Sequence, residues 1–264
     1  MERIDKEIVN RGIVDSRAKA QELIKQGKIL VDNKVITKSS LQVSDKDKIE
    51  VLDNELFKYV SRGGFKLEKA LDVFDYHVKD KCVMDIGSST GGFTDCCLQR
   101  GASRMVCIDV GTDVMHPSIR SNSKVNLYEN TNFKDISESF FEGIDLAVMD
   151  VSFISLTKIF SKIKLHNVLL DAICLIKPQF ECGREVAAKY SGVILNKEIH
   201  KSILNNLISE FGAMGFVCKG LDFSPIKGGD GNIEYLGYFT NKDSVANNIN
   251  IDNVVKIAFD NVNN

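Results

Sequence analysis

Four charged residues stand where a folded chain could use them as a set. Lys66 lies in GGFKLEKAL, and Asp150 ends the apolar run DLAVMD. Lys177 ends AICLIK just before Pro178, and Glu234 opens IEYLGYF after the glycine-rich stretch KGGDGN. Two amines and two carboxylates can take a proton from a weakly acidic hydroxyl and hold the group that receives it. A lysine acts as a base only in its neutral form. A second ammonium and partial burial favour that form, whereas carboxylates orient the amine and oppose its neutralisation. On this reading Lys177 is the base, Lys66 and Asp150 tune and place it, and Glu234 orients by hydrogen bonding. The competing reading makes each of the four one half of an ordinary surface ion pair.

A second signal lies between the first two. The run CVMDIG leads into a glycine-rich turn, Asp85-Ile-Gly-Ser-Ser-Thr-Gly-Gly92, and the next apolar run ends 24 residues after Asp85 in Asp109. Glycines there let a ligand approach the backbone, and a carboxylate at the next strand end can accept two hydrogen bonds from a ribose diol. The spacing of Gly87, Gly91 and Gly92 is not GxGxxG, and no P-loop lysine follows. A nucleoside without phosphates therefore fits better than a pyrophosphate, with a dinucleotide as the alternative. S-adenosylmethionine has that character. Its sulfonium methyl is already activated, so an acceptor such as a ribose 2'-hydroxyl needs only alignment and loss of its proton.

Other chemistries find less support. His77, His116, His166 and His200 are the only histidines, and none ends a strand beside a candidate Ser or Cys nucleophile. Ser152 follows Asp150 but has no GxSxG elbow. No HExxH or paired Cys/His spacing announces a metal. The seven cysteines (82, 96, 97, 107, 174, 182 and 218) fall largely in apolar runs without a CxxC pair, as free core thiols do in a reducing cytosol. The vicinal pair Cys96-Cys97 could serve redox or metal chemistry, but packing is the simpler reading.

The elements that must position these residues follow from patterning. From residue 82 onward, near-continuous apolar strands alternate with helical stretches, which implies a mostly parallel sheet covered on both faces. At the carboxyl ends of such strands Asp150 and Lys177 converge beside the cofactor turn. Glu234 begins its strand, so it reaches the same edge only if that strand runs antiparallel. Residues 1–56 read as a separate small α+β unit. One helix stops at Gly12, a second is capped by Ser16 and stops at Gly27, a hairpin turns at Asp32-Asn33, and KIEVL closes the sheet. Residues 57–65 (FKYVSRGGF) read as a joint in which Gly63-Gly64 break any helix. Residues 66–241 form the larger domain, and 242–264 an Asn-rich tail with one potential helix and no visible chemistry.

Charge sharpens the division of labour. The 264 residues are 44% hydrophobic, with a net charge of −2, which excludes a wholly electrostatic nucleic-acid binder. Residues 11–38 nevertheless hold seven basic against three acidic residues, a surplus of four. Such a patch suits phosphate contacts, although a solvated helix face would look the same. The charged start, and the lack of any apolar run near the roughly 20 residues a membrane span needs, point to a cytoplasmic protein.

These motifs resemble the TlyA (haemolysin A) family of rRNA ribose 2'-O-methyltransferases, from Arg3 to about Phe239. The N-terminal unit is similar to the RNA-binding fold named after ribosomal protein S4. YVSRGGFKL, DIGSSTGGFTD, DVSFISL, LIKPQFE and SPIKGGDGNIEYL resemble the family's signatures in order. The resemblance implies a Rossmann-like methyltransferase sheet of the FtsJ type, its last strand antiparallel, with a K-D-K-E tetrad on Lys66, Asp150, Lys177 and Glu234. It implies S-adenosylmethionine contacts at Asp85, Gly87, Ser89, Gly91, Phe93, Asp109 and Asn132. It also implies RNA contacts by the S4-like module and joint, for which Arg3, Arg17, Lys19 and Arg62 are the candidates, and rRNA cytidine as the target. VGTDVMHPSIR, after Asp109, departs from the family's aromatic-glycine-glutamine-leucine run.

Two readings from other classes compete with an rRNA methyltransferase. One is a non-catalytic RNA-binding or assembly factor on the same fold, though all four tetrad positions are filled here. The other is the membrane-active protein that the name haemolysin suggests, for which no amphipathic or hydrophobic segment is visible.

Overall fold

Hydrophobic alternation and turn residues divide the chain into two compact units, residues 1–58 and 59–264, in a computed structural model that describes residues 1–14, 16–52, 58–242 and 245–262. Asp15, counted in the charge surplus, and Phe57, the first residue of the expected joint, lie outside the described residues.

The first unit contains β1 (Glu2–Arg3), α1 (Ile4–Asn10), α2 (Arg17–Lys25), β2 (Ile29–Val31), β3 (Lys34–Ile36), β4 (Gln42–Val43) and β5 (Ile49–Val51). β3, β2 and β5 form an antiparallel sheet, and β1 pairs with β4. The β2–β3 turn places Asp32 and Asn33 at φ of 47° and 64°, the left-handed pair that a tight two-residue hairpin requires. The Ser16 side chain accepts from Lys19 N and caps α2. Ile4, Ile8, Leu23, Ile24 and Ile29 form a small closed core.

The second unit contains α3 (Gly63–Val73), β6 (Cys82–Ile86), α4 (Gly92–Gln99), β7 (Arg104–Ile108), α5 (Pro117–Arg120), β8 (Val125–Tyr128) and β9 (Leu146–Met149). There follow α6 (Leu156–Leu165), β10 (Asp171–Ile176), α7 (Pro178–Glu181), α8 (Arg184–Lys189), α9 (Lys197–Ala213), β11 (Val217–Phe223), β12 (Tyr235–Thr240) and α10 (Ile251–Val262). The sheet order is β11-β12-β10-β9-β6-β7-β8, parallel from β10 to β8, with β12 antiparallel to both its neighbours. This is the mostly parallel sheet with a reversed last strand that the sequence implies.

Residue parity distributes the β6 side chains between two cores. Cys82, Met84 and Ile86 enter the core that includes Phe160, Leu207 and Phe211, whereas Val83 faces the core with Leu67, Leu71 and Phe93. One expectation needs correction. Gly63 and Gly64 do not break a helix but open α3, and a Cβ on Gly64 would meet Tyr59 Cγ at 2.2 Å. The close approach of that ring, not a turn, is what requires glycine. The helix that the Asn-rich tail offers is α10, and its Val255, Ala258 and Phe259 are buried in the main core.

Candidate active site

The tetrad residues arrive from four separate elements. Lys66 occupies the first turn of α3, Asp150 and Lys177 follow the last residues of β9 and β10, and Glu234 immediately precedes β12. The reversal of β12 brings its start to the edge where β9 and β10 end. Lys66 Nζ lies 2.6 Å from Glu234 Oε2, and Lys177 Nζ lies 2.6 Å from Asp150 Oδ1. Lys66, Asp150 and Lys177 line one cavity of about 300 Å3. Glu234 sits behind it, 3% exposed, and reaches the cavity through Lys66. Burial pushes its carboxyl above the usual range, the Lys66 ammonium opposes this, and the charges of Asp150 and Lys177 also reach it. A Cβ on Gly228 would come within 2.6 Å of Glu234 Oε1, so glycine lets that loop close over the acid.

A second cavity of about 300 Å3 shares Gly87, Ser89, Asp150 and Ser152 with the first. Ile86, Ile108, Val151 and Ile154 give it apolar walls around Asp109 and Asn132. Asp109 Oδ2 accepts from Ser89 N and Oδ1 from Gly111 N, both at 2.7 Å, which fixes the carboxylate at the strand end. Asn132 Oδ1 accepts from Lys134 N at 3.1 Å. Gly87 has φ of 80°, and a Cβ there would meet the Asp150 carbonyl oxygen at 2.9 Å. An apolar slot with a fixed carboxylate, joined to a polar chamber with no lysine or arginine in the loop between Gly87 and Gly92, suits a phosphate-free nucleoside such as S-adenosylmethionine.

Not every expected cofactor residue faces that space. Asp85 is fully buried on the α4 side of the sheet. Its Oδ2 accepts from Thr94 Oγ1 at 2.6 Å, and its Oδ1 has no partner. Strand parity explains this: like Val83 two residues earlier, it points to the face α4 covers. Burial pushes its carboxyl up to about 7, with the Thr94 hydrogen bond opposing the shift. Gly91 also lies off both cavities. Its φ of 90° and its packing against Ile119 account for the glycine. Gly87, Ser89 and Phe93 do line the cleft. The divergent VGTDVMHPSIR segment runs alongside the turn, with Val110 on the apolar slot and His116 N donating to Thr90 O at 3.2 Å.

Several contributors escaped the sequence reading. Ser152, set aside as a nucleophile, lines both cavities, and its Oγ accepts from Lys177 Nζ at 3.0 Å. Phe153 beside it holds a φ of 63°, is 91% exposed and pairs with Phe180 at 5.0 Å between ring centroids. Ser152 and Phe153 stand in DVSFISL, so only their roles were hidden. Asn232, 1% exposed, accepts from Ile194 N and donates to Gly192 O, tying the glycine-rich loop to the segment before α9. Val60 N donates to Asp95 Oδ2 at 2.8 Å, anchoring the stretch before α3 to α4.

The candidate RNA residues differ in how they are held. In the first unit Arg3 forks onto buried Asp5 at 3.0 Å with both its Nε and Nη2, and Arg17 Nε reaches the same carboxylate at 2.9 Å. Arg17 ties α2 to α1 and Arg3 holds the start of α1, while their side chains stay 48% and 36% exposed. Arg11, part of the charge surplus, is structural and binds Glu7 and the carbonyls of Ser44 and Asp47. Lys19 is half-buried on α2. Arg62 lines the cavity that holds Lys66 and Lys177 in the second unit, and its Nη2 donates to Lys227 O at 2.8 Å.

Three polar residues thus meet on one cleft, with Glu234 behind Lys66, at the edge that the reversed strand reaches. Residues 59–240 match the FtsJ-like methyltransferase family, and residues 2–49 match the S4 domain. The chain belongs to the FtsJ-like methyltransferase family. It is 43% identical to Hemolysin A of Brachyspira hyodysenteriae, over 90% of this chain and 99% of that protein. It is 34% identical to the 16S/23S rRNA (cytidine-2'-O)-methyltransferase TlyA of Mycobacterium tuberculosis, over 89% of this chain and 88% of that one. A solved structure from Streptococcus thermophilus that carries a hemolysin name superimposes with a TM-score of 0.78 at 37% identity, covering 99% and 97% of the two chains. Among the described residues of this FtsJ-like methyltransferase, no helix is long and apolar enough to cross a membrane.

Proposed function

We propose that the chain transfers a methyl group from S-adenosylmethionine to a ribose 2'-hydroxyl of ribosomal RNA, with cytidine as the target nucleoside. The observation that carries this reading is the convergence of Lys66, Asp150 and Lys177 on a cavity that shares a wall with the slot holding Asp109, with Glu234 behind Lys66. The relative from Mycobacterium tuberculosis bears that activity in its name. Bound there, S-adenosylmethionine supplies a methyl on a positive sulfur that departs as a neutral thioether.

The residues divide the remaining work. Asp109 receives the cofactor ribose hydroxyls, Asn132 borders the base, and Gly87 and Ser89 give the ligand room against the backbone. Asp85 supports the turn from behind through Thr94. Lys177 takes the 2'-hydroxyl proton on its amine while Asp150 holds that amine in place. Lys66, anchored by Glu234, contributes a second positive charge to the chamber. A placed base contributes about a hundredfold to ten-thousandfold, and alignment supplies much of the rest. In this reading residues 1–56 grip RNA through Arg3, Arg17 and Lys19, residues 57–65 with Arg62 pass it to the cleft, and residues 66–241 perform the transfer. Ribosomal RNA as substrate and seven unpaired cysteines favour a cytoplasmic location and a ribosomal subunit as partner; the roles proposed for these residues need no metal.

Mass spectrometry of rRNA nucleosides from cells with and without the protein tests the proposal. A cytidine 2'-O-methyl should vanish without it and return with the wild-type chain but not with Lys177→Ala. A Lys177→Ala variant that restores the mark removes lysine from the base role. Unchanged nucleosides in both strains overturn the substrate.

A further inference from the structure

The proposed base has two oxygen neighbours, and they are not equivalent. Asp150 Oδ1 is the closer to Lys177 Nζ, at 2.6 Å, but its angle falls outside that of an aligned hydrogen bond, so the contact is an ion pair. Ser152 Oγ, at 3.0 Å, is the aligned acceptor. An ammonium or amine on a lysine rotates freely about its last carbon–nitrogen bond unless a directional partner stops it. A carboxylate that meets the nitrogen off-axis attracts charge but barely restrains that rotation, because the hydrogen bond weakens steeply as its angle closes. The nearest ring, Phe180, is 5.9 Å from Nζ and adds little direction.

We propose that Ser152 is a positioning residue that sets the rotation of the Lys177 amine and so aims its lone pair at the substrate hydroxyl. Once one N–H is fixed on Ser152 Oγ, the other two tetrahedral positions of Nζ follow. Asp150, which meets the nitrogen off-axis, fixes neither of them, and Lys177 and Ser152 line the cavity together. In the neutral amine one hydrogen is held by Ser152, the lone pair takes one of the other two positions, and repulsion from the Asp150 carboxylate favours the one turned away from that acid. When the amine takes the 2'-hydroxyl proton, the new N–H occupies the position the lone pair held, and the released oxygen pair forms the bond to the methyl carbon. Ser152 neither gains nor loses a proton. It is exposed on the cleft rather than packed in the core, so its hydroxyl can be removed without opening a cavity.

This inference rests on the base role proposed for Lys177, and two measurements keep the two apart. The first is steady-state kinetics of the full-length chain on ribosomal subunits lacking the methyl mark. Ser152→Ala should lower kcat by about tenfold to a hundredfold, within the range a misaligned base forfeits, while KM for the subunit and affinity for S-adenosylmethionine stay unchanged. Ser152→Thr, which keeps the hydroxyl, should recover most of kcat. The second is 15N relaxation of the Lys177 side-chain ammonium in the protein alone, where Ser152→Ala should speed its rotation. Unchanged rotation and unchanged kcat overturn the proposal. So does a raised KM with kcat intact, which makes Ser152 a substrate contact, or a Thr variant as slow as the Ala variant. If the wild-type chain methylates no ribosomal RNA, the proposed function fails, and the relaxation measurement still decides whether Ser152 stops the rotor.

Discussion

Lys66 and Glu234, 168 residues apart in sequence, meet nitrogen to oxygen at 2.6 Å with only 10% and 3% of their side chains exposed. Removing one member of such a pair strands a buried charge, at about 3–5 kcal/mol, whereas replacing both with apolar groups is often neutral. Glu234→Ala should therefore lower the thermal midpoint clearly more than the double change Lys66→Met with Glu234→Leu, and both should be inactive. Differential scanning calorimetry of the three proteins checks this; equal midpoints for the single and double variants would show the pair to be more solvated than its burial implies.

Asp85 sets a pH dependence of opposite sign to most carboxylates. Its folded value is raised to about 7 from an ordinary 3.8. The folded state thus binds the proton more tightly, and stability is full below the ordinary value and lost as pH rises through about 7. The loss approaches roughly 4 kcal/mol in the limit of complete burial. Asp85→Asn should cancel it, so that the variant gains on the wild type between pH 5 and pH 8 in denaturant titrations. A difference that stays constant across that span, or shrinks, rejects the assignment.

Glycines with positive φ are not alike here. Gly12 has φ of 67° and nothing within 4 Å of where a methyl group would stand, whereas at Gly87 (φ 80°) such a group meets the Asp150 carbonyl at 2.9 Å. Gly12→Ala should incur the backbone strain alone, about 1–2 kcal/mol. Gly87→Ala should add a clash with the β9 end and lose affinity for S-adenosylmethionine in isothermal titration calorimetry. Wild-type affinity in that variant would mean the loop yields and the approach is not tight.

If the first unit grips phosphates, its cations should register as counterions released. Lys19→Ala should reduce the slope of log affinity against log salt for rRNA fragments by about one, in fluorescence anisotropy. Arg17→Ala should cost thermal stability as well, because Arg17 bonds buried Asp5. An unaltered slope for Lys19→Ala takes that residue out of the interface.

The features legible in the sequence were those that a two-residue period or a single residue type dictates. Continuous apolar runs announced strands buried on both faces, and their last residues located Asp150 and Lys177. The direction of β12 followed from asking how Glu234 could reach that edge. What stayed hidden depends on contacts between distant segments. Gly63-Gly64 signals a break by propensity, yet the pair opens α3, and Gly64 is glycine because Tyr59 packs where a side chain would stand. Asp85 reads as a ligand contact by motif, yet parity along β6 turns it to α4, a fact visible only once the neighbouring helix is known to cover that face. Ser152, beside Asp150 but without a GxSxG elbow, offers no role in the sequence, because its partner, 25 residues away, is a neighbour only in the folded chain.

The reversed strand β12 lies between β10 and β11, and Glu234 stands at its start. Lys66, Asp150 and Lys177 all precede β11 in the sequence, and Glu234 follows it. β12 pairs with β10 on the side away from β9, so the strand that fills that edge also brings the acid that meets Lys66. Filling that side of the sheet and pairing Lys66 thus depend on the same segment, so a change that displaces β12 disturbs both at once.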